Sequence, residues 1–424
     1  IYGYLNRIQS SRRLEKEAQR NVELMWLAGR LTPDFKTIAN FRKDNGKAIR
    51  GVCLQFVVLC QQLGLFSEAM VAIDGSKFKA VNNRDRNFTS AKLQRRMEEV
   101  ESSINRYLAA LDTADLQEPA IAEARTARLQ DKITALKEQM KMLKDIEVRL
   151  NATPDKQISL TDPDARSMKT RGEGIVGYNV QTAVDTKHHL IVAHEVTNVG
   201  LGRDQLTNMG TQARAAIGAE ALTVVADRGY FKSEEILSCH EAGIIPIVPK
   251  TDTSTATAAG RFGKSHFIYD AKTNEYSCPA GQRLIWRFTN VERGMNLHRY
   301  WSSSCQQCAI KAKCTTDKRR KVTRWEQHED VLDAMQTRLD LDPDSMRIRR
   351  QTVEHPYGTI KLWMGSAHFL MKTLTHVSTE MSLHVLAYNL KRVIKILGIK
   401  GLMEAIKAWT GLYGGQINTV VAIS

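Results

Sequence analysis

Residues 222–233 read LTVVADRGYFKS, and this stretch decides the fold class. The run from Leu222 to Ala226 is apolar apart from Thr223, as in a strand that lies in the middle of a buried sheet. The run stops at Asp227, and Gly229 allows the chain to turn at once into a polar helix start. The sequence therefore predicts a buried strand that carries a carboxylate at its end, with Arg228 beside it.

Further strands are predicted before and after this one. EAMVAIDGSKFKAV (68–81) contains a short strand that should end at Asp74, where Gly75 and Ser76 are expected to turn the chain. GIVGYNVQTAVDTKHHLIVAHEVTN (174–198) predicts two strands joined by a tight turn, and IIPIVP predicts a last strand. Helices are expected before and after LTVVA. This order, with a long insertion after the first strand, predicts an α/β domain with a mixed sheet.

The remaining segments are predicted to be mostly helical. Residues 1–68 should form a small basic helical domain, which is either a helix-turn-helix DNA reader or a helical cap on the next domain. Residues 92–150 repeat apolar residues in steps of four and three, which predicts an inserted antiparallel helical hairpin. Helices are expected again up to Gly398, and the tail 399–424 should be loosely ordered.

The charge of the chain indicates a polyanionic partner. Its 424 residues are 42% hydrophobic, which is ample for a folded core, and the formal net charge is +15. Nucleic acid is the first partner to expect, and an anionic membrane surface is the second. No run approaches the roughly twenty apolar residues of a membrane span, and the start lacks the apolar core of a signal peptide. We expect a soluble intracellular protein, and the start at Ile1 inside a predicted helix suggests an upstream segment.

Asp74 and Asp227 each follow a predicted strand, and we expect them to lie side by side at the carboxyl edge of one sheet. A single aspartate in such a place is most often a turn residue. A pair flanked by Lys77, Lys79 and Arg228 favours a divalent cation, because Mg²⁺ takes carboxylate oxygens and leaves its other positions to water and phosphate. Two such ions can activate the attacking oxygen and stabilise the leaving oxygen of a phosphoryl displacement. Such a site needs a third carboxylate.

The third carboxylate is predicted to be Glu354, in RRQTVEHPYGTIK. On a helix, Arg350 lies one turn before Glu354 and Lys361 two turns after it, so both cations could meet phosphates beside the metals. Pro356 should kink this helix just after the glutamate, and an ordinary charged helix face is the alternative interpretation. Glu380 competes for the role, although its place in the first turn of the next helix suits a dipole partner.

Four cysteines lie close together in a basic stretch, with the spacing C-x26-C-x2-C-x5-C: Cys278, Cys305, Cys308 and Cys314. One C-x2-C pair with two further thiols can complete a tetrahedral structural zinc site, and unlinked thiols are the alternative. If zinc binds, residues 270–322 should form a small subdomain that clamps DNA. Its cations are Arg283, Arg287, Lys311, Lys313, Lys318, Arg319, Arg320 and Lys321. The other three cysteines, Cys53, Cys60 and Cys239, are expected in the core.

Three motifs together resemble the DDE transposases of bacterial insertion sequences. They are VAIDGSKFKA, VVADRGYFKS and the spacing of Arg350, Glu354 and Lys361. That spacing is similar to the third motif of the family, which reads tyrosine, two residues, arginine, three residues, glutamate, six residues, lysine. The resemblance extends from about residue 20 to residue 398 and includes TPDFKTIANFRK. The chain departs from the motif at residue 347, where arginine replaces the tyrosine, so a tyrosine-specific contact at the DNA end is in doubt.

The resemblance implies an RNase H-like catalytic core in residues 69–398, in which Asp74, Asp227 and Glu354 hold two Mg²⁺ or Mn²⁺ ions. The arginine and lysine of the third motif would touch DNA ends. The enzyme would cut at the terminal inverted repeats of a transposon and join the freed 3′-hydroxyl to target DNA. A dimer or larger synaptic complex, in the bacterial cytoplasm at the nucleoid, would bring the DNA segments together. Two alternatives stay open: a metal-dependent nuclease of the same fold without strand transfer, and a non-catalytic DNA-binding remnant.

Overall fold

The N-terminal part of the chain is helical. In the computed structural model, the described residues are 1–66, 70–82, 84–114, 119–170, 172, 174–250, 255–292 and 294–421. The domain boundary predicted at residue 68 lies outside them. Asp34 caps the fourth helix, because its carboxylate accepts a hydrogen bond of 2.7 Å from the Thr37 N–H. The helices are α1 (Tyr2–Leu5), α2 (Ser11–Arg20), α3 (Val22–Leu27), α4 (Phe35–Asp44) and α5 (Gly46–Gln62).

The chain continues into an α/β region, where the predicted order of the long strands and helices is confirmed. Its strands are β1 (Met70–Lys79), β2 (Asn87–Thr89), β3 (Gln157–Ser159), β4 (Arg166–Met168), β5 (Ile175–Asp185), β6 (Ile191–Thr197), β7 (Leu222–Ala226) and β8 (Ile244–Ile247). Its helices are α6 (Ser90–Ala114), α7 (Pro119–Ala152), α8 (Leu206–Ile217) and α9 (Ser233–Glu241). The short strands β2, β3 and β4 were not predicted by the sequence pattern.

Strand β1 lies in the middle of the main sheet. It pairs with β5 in antiparallel fashion and with β7 in parallel fashion, and β8 continues the parallel side. Strands β4 and β6 both pair antiparallel with β5. The sheet is therefore mixed, as the sequence predicts, and β2 and β3 form a separate two-stranded ribbon.

A second sheet follows the short helix α10 (Thr255–Ala258). It is antiparallel and has the order β13-β12-β11-β10-β9. The strands are β9 (Ile268–Asp270), β10 (Glu275–Ser277), β11 (Arg283–Glu292), β12 (Met295–Trp301) and β13 (Val322–Trp325). Phe267, Tyr276 and Tyr300 are buried in its own small core. The cysteine-containing segment 270–322 thus belongs to a regular sheet, which the polar sequence did not predict.

Three helices complete the chain: α11 (Glu329–Leu341), α12 (Ser345–Gly358) and α13 (Leu374–Val421). Helix α12 continues through Pro356 to Gly358 and is followed by a π-helical turn over Thr359–Trp363. Gly398 interrupts α13 with a φ of 74°, as the predicted helix stop requires. The helix then resumes and Leu402 is buried in the main core, so the expectation of a loosely ordered tail is wrong at the start of that segment.

Helices cover both faces of the main sheet. On one face, Ile73 of β1 and Val224 of β7 pack in a core with residues of α8, α9 and α13. On the other face, Ala72 of β1 and Val225 of β7 pack against Val353 of α12. Strand β7 is therefore buried on both sides, which explains its largely apolar sequence.

The N-terminal helices form a cap on this core. Helix α5 packs against α13 and α8, and its Val57 and Cys60 join the main core. The thiol of Cys53 donates to the carbonyl oxygen of Ser382 at 3.0 Å, and Cys239 is buried, so these three cysteines are core residues as expected. In the part of the chain that the structure describes, no helix combines the length and the apolar composition needed to cross a membrane.

Helices α6 and α7 pack along each other beside the main sheet. Leu93 and Val100 of α6 share a separate core with Leu143 and Ile146 of α7. Phe88 of β2 contributes to the same core. The predicted pair of helices is therefore present, while residues 115–118 of their connection lie outside the described residues.

We predict that Gly177→Ala strongly destabilises the protein. Gly177 of β5 lies opposite Lys79 of β1, and a Cβ there would overlap the carbonyl oxygen of Phe78. Because that oxygen belongs to the neighbouring strand, the sheet must shift, and we expect the free energy of unfolding to fall by about 3 kcal/mol. Urea denaturation followed by circular dichroism measures the change.

Gly51→Ala is the matched control. Gly51 lies in the middle of α5, and a Cβ there meets no heavy atom within 4 Å. Alanine favours a helix over glycine, so this variant should be about 0.5–1 kcal/mol more stable than the wild type. Equal stabilities of the two variants would contradict the strand contact described for Gly177.

Candidate active site

Two aspartates are brought together by the pairing of β1 with β7. The parallel pairing of β1 with β7 ends at Ile73 and Ala226. Asp74 and Asp227 are the residues that follow them directly in the sequence. Side chains alternate along a strand, which places Asp74 on the same face as Ala72. That face is covered by α12. The two carboxylates therefore lie next to each other beneath this helix.

The prediction that a strand ends at Asp74 is wrong. Strand β1 continues to Lys79, because β5 pairs with it along Gly75, Ser76 and the following residues. Only the pairing with β7 stops at this point. Gly75 therefore lies within the strand and does not turn the chain. Glycine is needed there because a Cβ would collide with the side-chain amide of Gln181 on β5. Asp74 is consequently held inside a strand that is paired on at least one side throughout.

Asp227 does end its strand, as predicted. Its Oδ1 accepts a hydrogen bond of 2.8 Å from the Gly229 N–H, which begins a 3₁₀ turn over Arg228–Tyr230. The side chain of Asp227 is 45% exposed, against 25% for Asp74. Asp227 is thus a turn residue and a member of the carboxylate pair at once, and it is the more accessible of the two.

The guanidinium of Arg349 joins the two carboxylates. Its Nη2 lies 2.9 Å from Asp74 Oδ1 and 3.7 Å from Asp227 Oδ2, and the side chain is only 15% exposed. Burial raises the pKa of Asp74, while the charge of Arg349 and the Gly75 N–H, which donates to Oδ1 at 2.8 Å, act in the opposite direction. The pair of acids is therefore stabilised by one cation from α12.

Sequence reasoning missed Arg349 and selected its neighbour Arg350, which is exposed. A signal for Arg349 does exist in the sequence. Arg349, Val353 and Tyr357 are spaced four residues apart, so they form one stripe of α12, and this stripe faces the sheet. The apolar residue and the tyrosine of that stripe are buried.

Tyr357 ties α12 to the strand that carries Asp74. Its hydroxyl lies 2.9 Å from the carbonyl oxygen of Asp74 and 2.7 Å from that of Val180, to which it donates. It also accepts a hydrogen bond of 3.1 Å from the Thr182 hydroxyl. Burial raises the pKa of Tyr357 well above its ordinary value, so the phenol stays protonated as a donor.

Glu354 lies on a different side of α12 from this stripe. It is exposed, and five residues of helix place it about 140° around the axis from Arg349. Among the described residues, no three side chains of the His, Cys, Asp or Glu type are arranged to hold a metal ion. The structure thus brings Asp74 and Asp227 together, while the role of Glu354 as third ligand stays a prediction.

Lys361 lies beside the strand of Asp74. Its Nζ donates to Ser76 Oγ at 2.7 Å and to the Lys77 carbonyl oxygen at 2.8 Å, and it lies 4.4 Å from the centre of the Phe78 ring. Burial lowers the pKa of Lys361. Ser76 shares the face of Asp74 by alternation, so this cation is close to the carboxylate pair.

The other predicted DNA-binding cations lie around this site. The side chain of Lys77 lies on the opposite face of β1 from Asp74 and donates to the Lys169 carbonyl oxygen. Lys79 is exposed at the end of the strand. Arg228 is exposed in the turn directly after Asp227.

Glu380, the competing glutamate, is engaged elsewhere. It is fully buried, and its carboxyl oxygens accept hydrogen bonds from the Leu370 N–H at 3.0 Å and from the Met371 N–H at 2.9 Å. It therefore fixes the backbone that leads into α13. Burial raises its pKa to about 7.

The four clustered cysteines line one cavity of about 30 Å³, together with apolar side chains such as Phe267 and Leu284. That volume is enough for one ion or water. All four are free thiols, and burial raises the pKa of Cys314. The Gly281 N–H donates to the Cys278 carbonyl oxygen at 2.8 Å, and the φ of 70° at Gly281 makes this turn tight. The four thiols therefore line one cavity, but their described positions do not form a group that could hold a metal ion.

Comparisons with known proteins found two matches to family models. Residues 277–394 match the family described as "Transposase DDE domain", and residues 1–44 match the family described as "Transposase domain (DUF772)". The first match includes α12, and the second includes the N-terminal helices α1 to α4. No curated protein and no solved structure matches the chain. The two family matches support a transposase function.

Both matches support a DDE transposase of an insertion sequence. The part matched as a DDE domain begins after both aspartates, so the structure supplies the link between Asp74, Asp227 and α12.

We predict that Glu380→Gln changes how stability depends on pH. The folded pKa of Glu380 is about 7, above its usual value, so the folded state holds a proton that the unfolded state releases at lower pH. The wild type should therefore lose stability as the pH rises from about 4.5 to about 7. Glutamine cannot ionise, so the variant should gain relative to the wild type, by roughly 3 kcal/mol at pH 8.

Chemical unfolding at pH 5, 6, 7 and 8 measures this difference. Exposed Glu147 on α7 provides the control, since Glu147→Gln should leave the pH dependence unchanged. The charges that face Glu380 are Arg42 and the imidazole of His384, whose pKa burial lowers to about 3, so His384 stays neutral in this range. A difference between Glu380→Gln and wild type that does not vary with pH would refute the assignment.

Proposed function

We propose that this transposase cuts DNA at transposon ends and joins the freed 3′-hydroxyl to target DNA, and that its main sheet is an RNase H-like catalytic core. One observation carries the proposal: Asp74 and Asp227 lie side by side on parallel strands and share the cation Arg349. Two carboxylates rarely lie so close in a partly buried place without a functional reason.

Asp74, Asp227 and Glu354 are the proposed ligands of two Mg²⁺ or Mn²⁺ ions. The donor set fits these ions, because hard divalent cations prefer carboxylate oxygens. When bound, the ions supply activation of the attacking oxygen and stabilisation of the leaving oxygen. The chain supplies rigidity: β1 and the hydroxyl of Tyr357 fix the backbone of Asp74, while the Gly229 N–H orients Asp227.

The flank of α12 next to the carboxylates suits a DNA end. Arg350 and Glu354 are exposed one turn apart, and Lys361 lies beside Ser76. We propose that Arg350 and Lys361 hold the phosphates on either side of the scissile bond, so that the bond lies near the aspartates. Arg228, Lys77 and Lys79 would hold more distant phosphates by charge alone.

The second sheet offers a further surface for DNA. A polar groove there is lined by Ser302, Ser303, Gln306, Asp317, Lys318, Arg319 and Lys321. Arg319 and Arg287 both lie over the Trp301 ring, at 4.3 Å and 5.6 Å from its centre. Stacking holds such guanidinium groups in place for phosphate contacts. Arg283 is less available, since Glu275 binds it through two hydrogen bonds.

Assembly of two DNA ends implies at least a dimer. The helical pair α6 and α7 is the part of the catalytic region proposed to form it. Met142 and Val148 of α7 expose 59% and 73% of their surface, so they would be available to a second copy of the chain. The N-terminal cap, matched to a transposase domain, is proposed to bind DNA as well.

Loss of any one of the three carboxylates should abolish the reaction. Asp74→Asn, Asp227→Asn and Glu354→Gln are each expected to lower DNA cleavage at least about a hundredfold in Mg²⁺ or Mn²⁺. The measurement uses labelled DNA that carries the terminal inverted repeats of the element, with a plasmid target, and separates cut from joined products. Glu380→Gln is the control and should cut at the wild-type rate.

Each outcome of this assay decides between functions. Joined products support the transposase, while cut ends that are never joined would identify a nuclease. Absence of cleavage by the full-length wild type would identify a DNA-binding remnant. Activity of Glu354→Gln with inactivity of Glu380→Gln would show that the third ligand was assigned to the wrong glutamate.

The four cysteines of the second sheet are proposed to bind a structural zinc ion. Purified protein should contain about one zinc per chain by elemental analysis, because four thiols satisfy the tetrahedral preference of the ion. Cys305→Ser with Cys308→Ser should lose the zinc and lower the melting temperature. Cys60→Ala, in the main core, should keep it. A wild type without zinc, or a double variant that retains it, would leave the thiols as ordinary free cysteines.

A further inference from the structure

Arg349 occupies the space between the two aspartates, although the family motif assigns it no role. We propose that Arg349 is an internal counter-ion of the metal-free site, which competes with divalent cations for Asp74 and Asp227 and leaves them when the cations bind. This inference rests on the proposed metal site and adds a residue that sets how readily the site is loaded.

The two aspartates need a positive charge nearby. Asp74 and Asp227 follow directly on two paired strands, so their negative charges are held close together by the sheet. Such a pair is stable only with a cation nearby. In the described part of the chain, Arg349 is the cation in contact with both carboxylates, at 2.9 Å and 3.7 Å. It therefore supplies the positive charge that metal ions would otherwise supply.

Arg349 occupies positions around the carboxylates that a metal ion would need. Metal ligation needs the carboxylate oxygens at about 2.1 Å for Mg²⁺. Asp74 Oδ1 already accepts from the Gly75 N–H, and Asp227 Oδ1 accepts from the Gly229 N–H. Arg349 takes a further position on each group, so an ion between the aspartates would face a guanidinium of like charge. Both cannot remain there.

Arg349 is not fully hydrogen-bonded in its place between the aspartates. The Nε of this side chain is buried and has no hydrogen-bond partner within the described residues. Buried donors are usually hydrogen-bonded, and the Nε atoms of Arg42, Arg320 and Arg338 are the other arginine exceptions among the described residues. The contacts of Arg349 with the aspartates therefore leave it incompletely bound, and a phosphate near the exposed flank of α12 could complete its hydrogen bonds once it moves.

Metal binding without DNA tests the proposal. Isothermal titration calorimetry with Mn²⁺, and separately with Ca²⁺, compares the wild type with Arg349→Gln and Arg349→Lys. We expect Arg349→Gln to bind the ions roughly tenfold more tightly. Its melting temperature should be lower than that of the wild type without metal and should rise more when metal is added. Arg349→Lys keeps the charge but cannot span both carboxylates, so its affinity should lie between the two.

The control is Arg347→Gln. Arg347 lies on the same helix, is 67% exposed and pairs with Asp344, so its loss should leave metal affinity unchanged. Asp74→Asn should weaken binding in every background. Unchanged or weaker affinity in Arg349→Gln would overturn the proposal while leaving the metal site intact. If Arg349→Gln does not fold, Arg349→Lys decides: affinity equal to or below that of the wild type would overturn it.

The outcomes also separate this inference from the proposed function. Binding by Arg349→Gln but not by the wild type would support the counter-ion directly. Absence of binding in all variants would remove the metal site itself, and the counter-ion role with it. Wild-type cleavage of DNA combined with equal metal affinities would retain the transposase mechanism and reject the role of Arg349.

Discussion

The parallel pairing of β1 with β7 is the constraint on which the proposed active site depends. The pairing runs from Met70 to Ile73 on β1 and from Thr223 to Ala226 on β7. The residue that follows each paired segment is an aspartate. Residues of β7 pack in a core on each face, so a shift of one residue would move every side chain into the opposite core and lose this packing. The separation of the carboxylates is therefore set by backbone hydrogen bonds and not by flexible side chains.

Helix α12 completes this arrangement from above the sheet. Val353 packs on the apolar part of the two strands, Tyr357 binds the backbone of Asp74, and Arg349 reaches both acids. The helix thus brings packing, hydrogen bonding and charge to the same small area. Its outer side, with Glu354, remains accessible, so one helix would support the fold and, in the proposed function, present residues to DNA.

The strand order and the adjacency of the aspartates could be predicted because they follow from local patterns: apolar runs, their breaks and the pairing of parallel strands. The continuation of β1 past Gly75 could not, since glycine and serine resemble a turn until the partner β5 is known. Arg349 and Arg350 look alike in sequence, and only the packing of α12 distinguishes them. The second sheet was missed because its strands alternate poorly between buried and exposed residues. Asp34 caps α4 within TPDFKTIANFRK, three residues before the bonded Thr37 N–H.

The placement of Asp74 inside a continuous strand also has a consequence for the evolution of the chain. Asp74 lies beside a second acid and contacts the mostly buried guanidinium of Arg349, so a neutral residue at this position would leave that cation without its nearest partner. A neutral residue at position 74 is therefore better accommodated when Arg349 is replaced as well. Sequences that diverge from this one are expected to change the aspartate and the arginine together.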